Sequence, residues 1–180
     1  MQVQETDFEG LLILQPNIYK DNRGAFQESW NVNTFKNLNL DISFVQDNHS
    51  ISHKNVLRGL HFQHPPYAQG KLVRVSQGRV LDVVVDLRKN SKTYKKHFKI
   101  ELSSSKGNML WIPSGFAHGF LTLEDRTIFQ YKCDEFYKPA AEDCILWNDS
   151  ALGINWNVIN PIVSEKDLEG KLITDLKSPF

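Results

Sequence analysis

The chain is poor in cysteine and has no excess of either charge. Its 180 residues include only Cys133 and Cys144, which lack the CxxC spacing of a zinc knuckle or a thioredoxin-like redox motif. The 21 Lys and Arg residues are balanced by 21 Asp and Glu residues, so the net charge is zero. Because nucleic acids and anionic membranes are bound by clustered Lys and Arg, we expect neither as a partner. An anionic ligand would have to be held by a few local cations.

Long apolar runs are also missing. The apolar run at 11–14 is far too short to span a membrane. The N-terminal MQVQETDFEG has neither the basic nor the apolar region of a secretory signal. The length and the ordinary apolar content are typical of one globular domain. We therefore predict a single domain over 1–180 and a cytoplasmic location.

Short alternating segments separated by turn residues dominate the chain. They predict strands at 11–14, 56–63, 71–75, 80–87, 98–102, 108–112, 118–123 and 127–133. The Ser-Gln-Gly segment at 76–78 predicts that the strands on either side of it form a hairpin. Helical segments are expected only at 31–38 and 164–168. The pattern therefore predicts an all-β fold, a double-sheet antiparallel jelly roll with short peripheral helices.

Strand alternation directs several polar side chains into the predicted barrel. Tyr131 lies on the more apolar face of 127–133, and Lys71 shares its face with the valines of 71–75. His118 alternates with two phenylalanines. Polar groups in a barrel interior are costly unless they are paired or functional, so these three side chains are candidates for chemistry.

The segment VLRGLHFQ at 56–63 carries Arg58 and His61 within an apolar strand. Strict alternation places His61 on the face of Leu57 and places Arg58 on the opposite face. An isolated glycine in a strand often marks a bulge, and a bulge at Gly59 would bring Arg58 and His61 to one side.

A metal site is the first alternative for His61. Many metal-binding jelly rolls use an HxH pair, whereas His61 and His64 are three residues apart. That spacing points the two rings to opposite faces of a strand, and the two prolines that follow indicate that His64 begins a loop. We predict no metal site.

Acid–base chemistry is the second alternative. A histidine base, a tyrosine acid and a buried ammonium that stabilises an oxyanion suit proton abstraction beside a carbonyl. The carboxylate that would orient His61 stays open between Asp82, Asp86 and Asp167. For Asp167 the pattern alone favours a different role, because Ser164 three residues earlier is typical of a helix N-cap.

Two further polar segments have open interpretations. The turn-like stretch 21–28 contains Arg23, which suits a phosphate, and Glu28, and both also fit ordinary surface charges. Gln46, Asp47 and Asn48 are typical either of a turn or of a set of ligand contacts.

Several longer motifs follow one another in a distinctive order. They are DNRGAFQESW, VLRGLHFQ, AQGKLVRVSQGRVLDVVVDLR, LWIPSGFAHGFLTL, YKPAAED, LWNDSALGINW and VSEKD. Together they resemble the dTDP-4-dehydrorhamnose 3,5-epimerase family over nearly the whole chain. The resemblance implies a cupin-type jelly roll, a homodimer, and an isomerase that uses no cofactor and no metal. The implied reaction converts dTDP-4-dehydro-6-deoxy-D-glucose to dTDP-4-dehydro-L-rhamnose in dTDP-L-rhamnose biosynthesis.

The resemblance also implies roles for individual residues. His61 would be the base, Asp167 its partner, Tyr131 the acid, and Lys71 the group that stabilises the enolate. The implied substrate contacts are Arg23, Phe26, Glu28, Gln46, Asp47, Asn48, Arg58, His118, Tyr137, Glu142 and Lys166.

One position departs from the family pattern, since Cys144 stands where the resemblance leads us to expect glycine. Three functions compete with the implied one. They are an epimerase that inverts only C3 or only C5, a metal-dependent cupin such as a dioxygenase, and a sugar-binding module without catalysis. The missing HxH pair argues against the metal enzyme, and the acid–base set would have no purpose in a binding module.

Overall fold

The computed structural model describes residues 1–180 as thirteen strands with two short α-helices and one 3₁₀ turn. The strands are β1 (Gln2–Glu5), β2 (Leu12–Gln15), β3 (Ile18–Asp21), β4 (Gly24–Gln27), β5 (Gln46–Ser52), β6 (Leu57–Gln63), β7 (Lys71–Gln77), β8 (Arg79–Asp86), β9 (His97–Ser103), β10 (Met109–Ile112), β11 (Phe116–Thr122), β12 (Thr127–Cys133) and β13 (Glu142–Cys144). The helices are α1 (Val32–Asn37) and α2 (Glu165–Leu168), and the 3₁₀ turn is Pro139–Ala141. None of these helices has the length and apolar character needed to cross a membrane.

Two antiparallel sheets form the body of the molecule. The six-stranded sheet has the order β1-β2-β10-β7-β12-β5, and the five-stranded sheet has the order β13-β6-β11-β8-β9. A separate hairpin consists of β3 and β4. The predicted double-sheet jelly roll with short peripheral helices is confirmed.

The core between the sheets explains the alternation in the sequence. Every second residue of β7 and β8 points into it, as Val73, Val75, Val80 and Val84 do. Aromatic side chains of the facing strands fill the remaining space, and Phe120 stacks on Phe129 with ring centroids 4.0 Å apart. Burial of such side chains stabilises a fold by about 1.5–3 kcal/mol each.

Both outer faces of the body are covered as well. The C-terminal segment lays Leu152, Trp156 and Ile173 on the five-stranded sheet. On the other side, Phe35 of α1 packs in a cluster with Met109 of the six-stranded sheet. This cover explains why β10 and β11 are buried on both faces and read as nearly continuous apolar runs.

The predicted hairpin around 76–78 is wrong. Strand β7 pairs with β10 and β12 in one sheet, whereas β8 pairs with β9 and β11 in the other. The chain therefore turns a corner between sheets at Gly78, where φ is +79°. A Cβ on Gly78 would lie 2.5 Å from Oγ1 of Thr127, so only glycine fits this corner.

Both short helices begin at a capping side chain, and that of α2 is the Ser164 expected from the sequence. The side chain of Asn31 accepts hydrogen bonds from the N–H groups of Asn33 and Thr34 at the start of α1. The Ser164 side chain accepts from the N–H of Asp167 at the start of α2. Both predicted helical segments are confirmed.

The two polar segments whose interpretation the sequence left open, 21–28 and 46–48, both contribute residues to strands. Residues Gln46–Ser52 form the edge strand β5, with partly buried and exposed residues in alternation. The turn predicted within 21–28 is confirmed, and it joins β3 to β4.

Candidate active site

A cavity of about 390 Å³ lies between the two sheets, which is in the range of small-molecule sites. Strands β5, β7 and β12 form one wall, and β6, β11, β13 and α2 contribute to the other. The cavity is lined by eleven of the residues proposed from the sequence: Gln46, Asn48, Arg58, His61, Lys71, His118, Tyr131, Tyr137, Glu142, Lys166 and Asp167.

A β-bulge at Gly59 brings Arg58 and His61 to the same side of β6. Arg58 pairs with Phe120 of β11 and His61 pairs with His118, so two residues of β6 lie opposite one residue of β11. Both Arg58 and His61 line the cavity. The predicted bulge is confirmed.

The bulge also reverses one expectation from strict alternation. Leu57 was expected on the face of His61, but it packs with Leu60 and Phe62 in the core outside the five-stranded sheet. A Cβ on Gly59 would lie 2.4 Å from the Cα of Gly119, so the two strands can approach this closely only with glycine there.

Asp167 is the carboxylate that contacts His61. Its Oδ1 lies 2.6 Å from Nε2 of His61, and its Oδ2 accepts a hydrogen bond from the N–H of Gly59 at 3.2 Å. Burial raises the pKa of Asp167, but the hydrogen bonds from His61, Gly59 and Ser164 outweigh it and the net pKa is lowered. An ionised carboxylate only accepts, so Nε2 of His61 carries the proton and Nδ1 carries the lone pair.

The other two candidate carboxylates have different partners. Both oxygens of Asp82 lie within 3.1 Å of Nε2 of His118, in a pair that is almost fully buried. Asp86 instead accepts hydrogen bonds from Arg88 and Thr93. The cavity therefore holds two histidines, each held by its own aspartate.

Lys71 and Tyr131 face the same cavity with shifted pKa values. Burial lowers the pKa of the Lys71 ammonium, although the charges of Glu142 and Asp82 oppose this decrease. Burial raises the pKa of the Tyr131 hydroxyl. Tyr131 therefore keeps its proton at neutral pH, and a partly desolvated ammonium lies in the cavity. The inward directions predicted for Lys71, His118 and Tyr131 are confirmed.

The rim of the cavity carries a connected polar group. The hydroxyl of Tyr137 donates to Oε2 of Glu142 at 2.5 Å, and the ammonium of Lys166 donates to the same oxygen. Gln46 accepts a hydrogen bond from the N–H of Tyr137 at 2.9 Å, which fixes the loop before the 3₁₀ turn. The guanidinium of Arg58 is hydrogen-bonded only to a serine hydroxyl, at 3.2 and 3.4 Å.

Comparison with known proteins identifies the family. The model of the dTDP-4-dehydrorhamnose 3,5-epimerase family matches residues 5–175. The chain belongs to the dTDP-4-dehydrorhamnose 3,5-epimerase family. It is an isomerase with the cupin-type fold of that family.

Individual relatives agree along almost their whole length. The dTDP-4-dehydrorhamnose 3,5-epimerase of Shigella flexneri is 48% identical over 176 residues, which cover 97% of each chain. The crystal structure of the Bacillus anthracis enzyme with TDP and pyrophosphate has 46% identity and a TM-score of 0.93, covering 96% of this chain and 99% of that one.

Two further structures bear on the substrate. The Legionella pneumophila enzyme in complex with dTDP-4-keto-L-rhamnose is 41% identical with a TM-score of 0.92, covering 97% of this chain and 94% of that one. A 3′-monoepimerase from Streptomyces bikiniensis in complex with dTDP-quinovose is 29% identical with a TM-score of 0.87, covering 93% and 85%.

Four of the proposed substrate contacts do not line the cavity of their own chain. Asp47 points away from it on β5, because its neighbours in the strand point inward, and it pairs with Lys132 at 2.6 Å. Arg23, Phe26 and Glu28 lie on or beside the β3–β4 hairpin.

Pattern reasoning missed several residues that line the cavity. Phe129 and Cys133 lie there, and strand alternation with Tyr131 was a sufficient signal for both. Gln63 also lies there, and it holds the adjacent loop by accepting from the N–H of Lys138 at 2.7 Å. No local signal marked that contact, which joins residues 75 positions apart.

His64 was predicted to be separate from His61, and the structure agrees. It follows the end of β6, lies outside the cavity, and contacts Asp143 at 3.1 Å. The two rings therefore do not share a site.

Proposed function

We propose that this protein inverts C3 and C5 of dTDP-4-dehydro-6-deoxy-D-glucose and forms dTDP-4-dehydro-L-rhamnose, the reaction named for its family, within dTDP-L-rhamnose biosynthesis. The observation that carries the proposal is the His61–Asp167 pair, which faces a cavity that also contains Lys71 and Tyr131. The proposed reaction uses no cofactor.

Proton abstraction is the first step. The C4 ketone makes the hydrogens at C3 and C5 acidic, because the resulting carbanion is delocalised onto the ketone oxygen. His61 takes the proton at Nδ1, and the Asp167 carboxylate stabilises the imidazolium that forms. The Lys71 ammonium stabilises the enolate oxygen, in a partly desolvated position where its charge acts strongly.

Proton return from the opposite face completes each inversion. Tyr131 donates its hydroxyl proton to the carbon from which His61 removed one, and the configuration at that carbon is reversed. The raised pKa of Tyr131 supports this role, because the hydroxyl is protonated at neutral pH. Two such rounds, at C3 and C5, give the product, and proton exchange with solvent restores His61 and Tyr131.

Groups at the rim are suited to the nucleotide. Arg58 offers a guanidinium without a carboxylate partner, which suits a diphosphate. Tyr137 offers an aromatic surface to the thymine base. The remaining proposed contacts in the cavity are Gln46, Asn48, His118, Glu142 and Lys166.

A homodimer would reconcile the hairpin residues with a role in substrate binding. Arg23, Phe26 and Glu28 do not line the cavity of their own chain, and Phe26 is 69% exposed. We propose that the β3–β4 hairpin of one copy approaches the cavity of the second copy. If so, mixing inactive Arg23→Ala and His61→Ala variants restores part of the activity, because one site in each mixed dimer is intact. No recovery after subunit exchange would contradict this arrangement.

Inversion of only one carbon is the second candidate function. The similarity to a 3′-monoepimerase supports it, since a cavity of the same fold can limit the reaction to one centre. A coupled assay with dTDP-4-dehydrorhamnose reductase and NADPH separates the candidates. NADPH oxidation with formation of dTDP-L-rhamnose supports double inversion, and a singly inverted reduced sugar supports the second candidate. Absence of turnover with bound substrate would overturn both.

A further inference from the structure

Cys144 lies beside the proposed base, although the proposed reaction gives it no role. Strand β13 pairs with β6 so that Cys144 is directly opposite His61. The thiol is buried, with the residue 7% exposed. The thiol donates a hydrogen bond to the carbonyl of Ile145 at 3.4 Å, so the lone pairs of the sulfur are not needed for this contact.

Three side chains converge at this point. One donor atom from each of His61, Cys144 and Asp167 lies within 4.8 Å of the other two. Thiolate sulfur, imidazole nitrogen and carboxylate oxygen are the three ligand types that Zn²⁺ prefers. A tetrahedral zinc site holds its ligand atoms about 3.3–3.8 Å apart. The three donor atoms, which lie within 4.8 Å of one another, would therefore each move by about 1 Å or less to bind one ion.

We propose that His61, Cys144 and Asp167 form a three-ligand site for Zn²⁺ or a similar thiophilic divalent cation, and that its occupation reversibly blocks the proposed base. The fourth tetrahedral position is left for a water molecule, as in other three-ligand zinc sites.

The block follows from the chemistry of the imidazole. The ion binds Nε2 of His61 in place of its proton, and that proton moves to Nδ1 through solvent. Nδ1 then has no lone pair with which to take a proton from the sugar. Asp167 is turned from its contact with His61, which measures 2.6 Å without the ion, to bind the ion instead. The inhibitory consequence rests on the proposed function, whereas the metal site itself does not.

Binding also requires a proton to leave. The thiol of Cys144 becomes a thiolate, its proton passes to solvent, and the charges of one thiolate and one carboxylate balance the divalent ion. This release of a proton opposes binding at neutral pH, because a thiol must be deprotonated before it can bind the ion. We therefore expect a reversible, chelator-sensitive site rather than a permanent one.

The site is tested with Co²⁺, which gives thiolate-to-metal charge-transfer absorption in the near ultraviolet. We expect the wild-type protein to show this band with one equivalent bound, and Cys144→Ala to lose it. Cys133→Ala is the matched control, because it removes the other buried cysteine of the cavity region and should keep the band. Cys144→Ser provides a second variant in case the alanine variant is unstable. A band that persists without Cys144, disappears without Cys133, or never forms in the wild type would overturn the site.

Inhibition is measured separately with Zn²⁺ alone. We expect Zn²⁺ to stop turnover by the wild type and EDTA to restore it. Cys144→Ala should need at least about tenfold more Zn²⁺, since loss of a direct ligand should cost no less than loss of an outer-shell partner. Metal-free Cys144→Ala should turn over like the wild type. If the Co²⁺ band forms but neither the wild type nor Cys144→Ala is active without metal, the proposed function fails and the metal site remains. Equal Zn²⁺ sensitivity of the wild type and Cys144→Ala would contradict the block.

Discussion

The carboxylate of Asp167 contacts the imidazole of His61 at 2.6 Å, although 106 positions separate the two residues in the chain. The same aspartate lies at the start of α2, where its backbone N–H donates to the capping side chain of Ser164. Its backbone therefore takes part in the cap, while its side chain is directed to the histidine. This division assigns the capping role and the orienting role to different atoms of one residue.

Replacing His61 should remove the base. For His61→Ala we expect a folded protein whose kcat falls by about two to four powers of ten, the usual contribution of a general base. His64→Ala is the control, because His64 lies outside the cavity and should leave kcat close to wild type. A decrease of less than about tenfold in His61→Ala would remove this residue from the role.

Replacing Asp167 should separate orientation from capping. Asp167→Asn keeps the backbone cap but loses the charge that stabilises the His61 imidazolium, so we expect kcat to fall at least about a hundredfold. Ser164→Ala should instead lower the free energy of unfolding by about 0.5–2 kcal/mol, with a much smaller effect on kcat. Urea unfolding and steady-state kinetics of both variants measure the two effects. The account fails if Asp167→Asn loses stability but keeps wild-type kcat.

Replacing Tyr131 should uncouple deprotonation from inversion. In Tyr131→Phe the base still removes a proton, so we expect deuterium exchange at carbon to be partly retained while the doubly inverted product is lost. Mass spectrometry of substrate recovered from D2O measures the exchange. Tyr94→Phe, outside the cavity, should behave as wild type. Normal yield of inverted product from Tyr131→Phe would exclude it as the acid.

Activity should fall at alkaline pH through Lys71. Burial lowers the pKa of this ammonium, so it loses its proton at a lower pH than a free lysine does. Because only the charged form stabilises the enolate, kcat is highest below this pKa and decreases as pH rises through it. Lys71→Met should be strongly impaired at every pH, whereas Lys132→Met, at a salt bridge outside the cavity, should keep the wild-type profile. An unchanged alkaline profile in an active Lys71→Met variant would be inconsistent with this assignment.

Acid should destabilise the fold through Asp86. Burial raises the pKa of Asp86, but hydrogen bonds from Arg88, Ser91 and Thr93 outweigh it, and the folded-state pKa is lowered. The stabilisation is therefore present above the unfolded-state pKa and is lost as pH falls through the folded-state value. Asp86→Asn should cost about 1.5–3 kcal/mol at pH 7, the usual range for hydrogen bonds to a charged group, and flatten this acid dependence. Urea unfolding of both proteins across the acid range measures the loss of stability and its pH dependence. If the free energies of unfolding of the wild type and Asp86→Asn fall in parallel with pH, Asp86 is not the source of the acid dependence.

Strand alternation predicted the inward faces of β7, β11 and β12, because side chains in an unbroken strand alternate strictly. It therefore placed Lys71, His118 and Tyr131 correctly. It failed for Leu57, since the bulge at Gly59 changes the alternation within β6. The turn signal at Gly78 located the bend but not the sheet that the next strand joins, which depends on long-range packing.

Contacts between segments that are distant in the chain were the second feature that the sequence pattern could not predict. The pattern left the choice among Asp82, Asp86 and Asp167 open, and the contacts in the folded chain separate them. For Asp167 the local signal favoured a cap, and the family resemblance pointed to the correct partner. Phe129 and Cys133, by contrast, were within reach of the alternation argument and needed no further information.

The most direct test of the central claim is proton NMR of dTDP-4-dehydro-6-deoxy-D-glucose incubated with the protein in D2O. The account predicts that wild-type protein introduces deuterium at both C3 and C5, and that His61→Ala introduces it at neither within the same time. Exchange at both carbons that is undiminished in folded His61→Ala, or no exchange by wild-type protein with bound substrate, would contradict it.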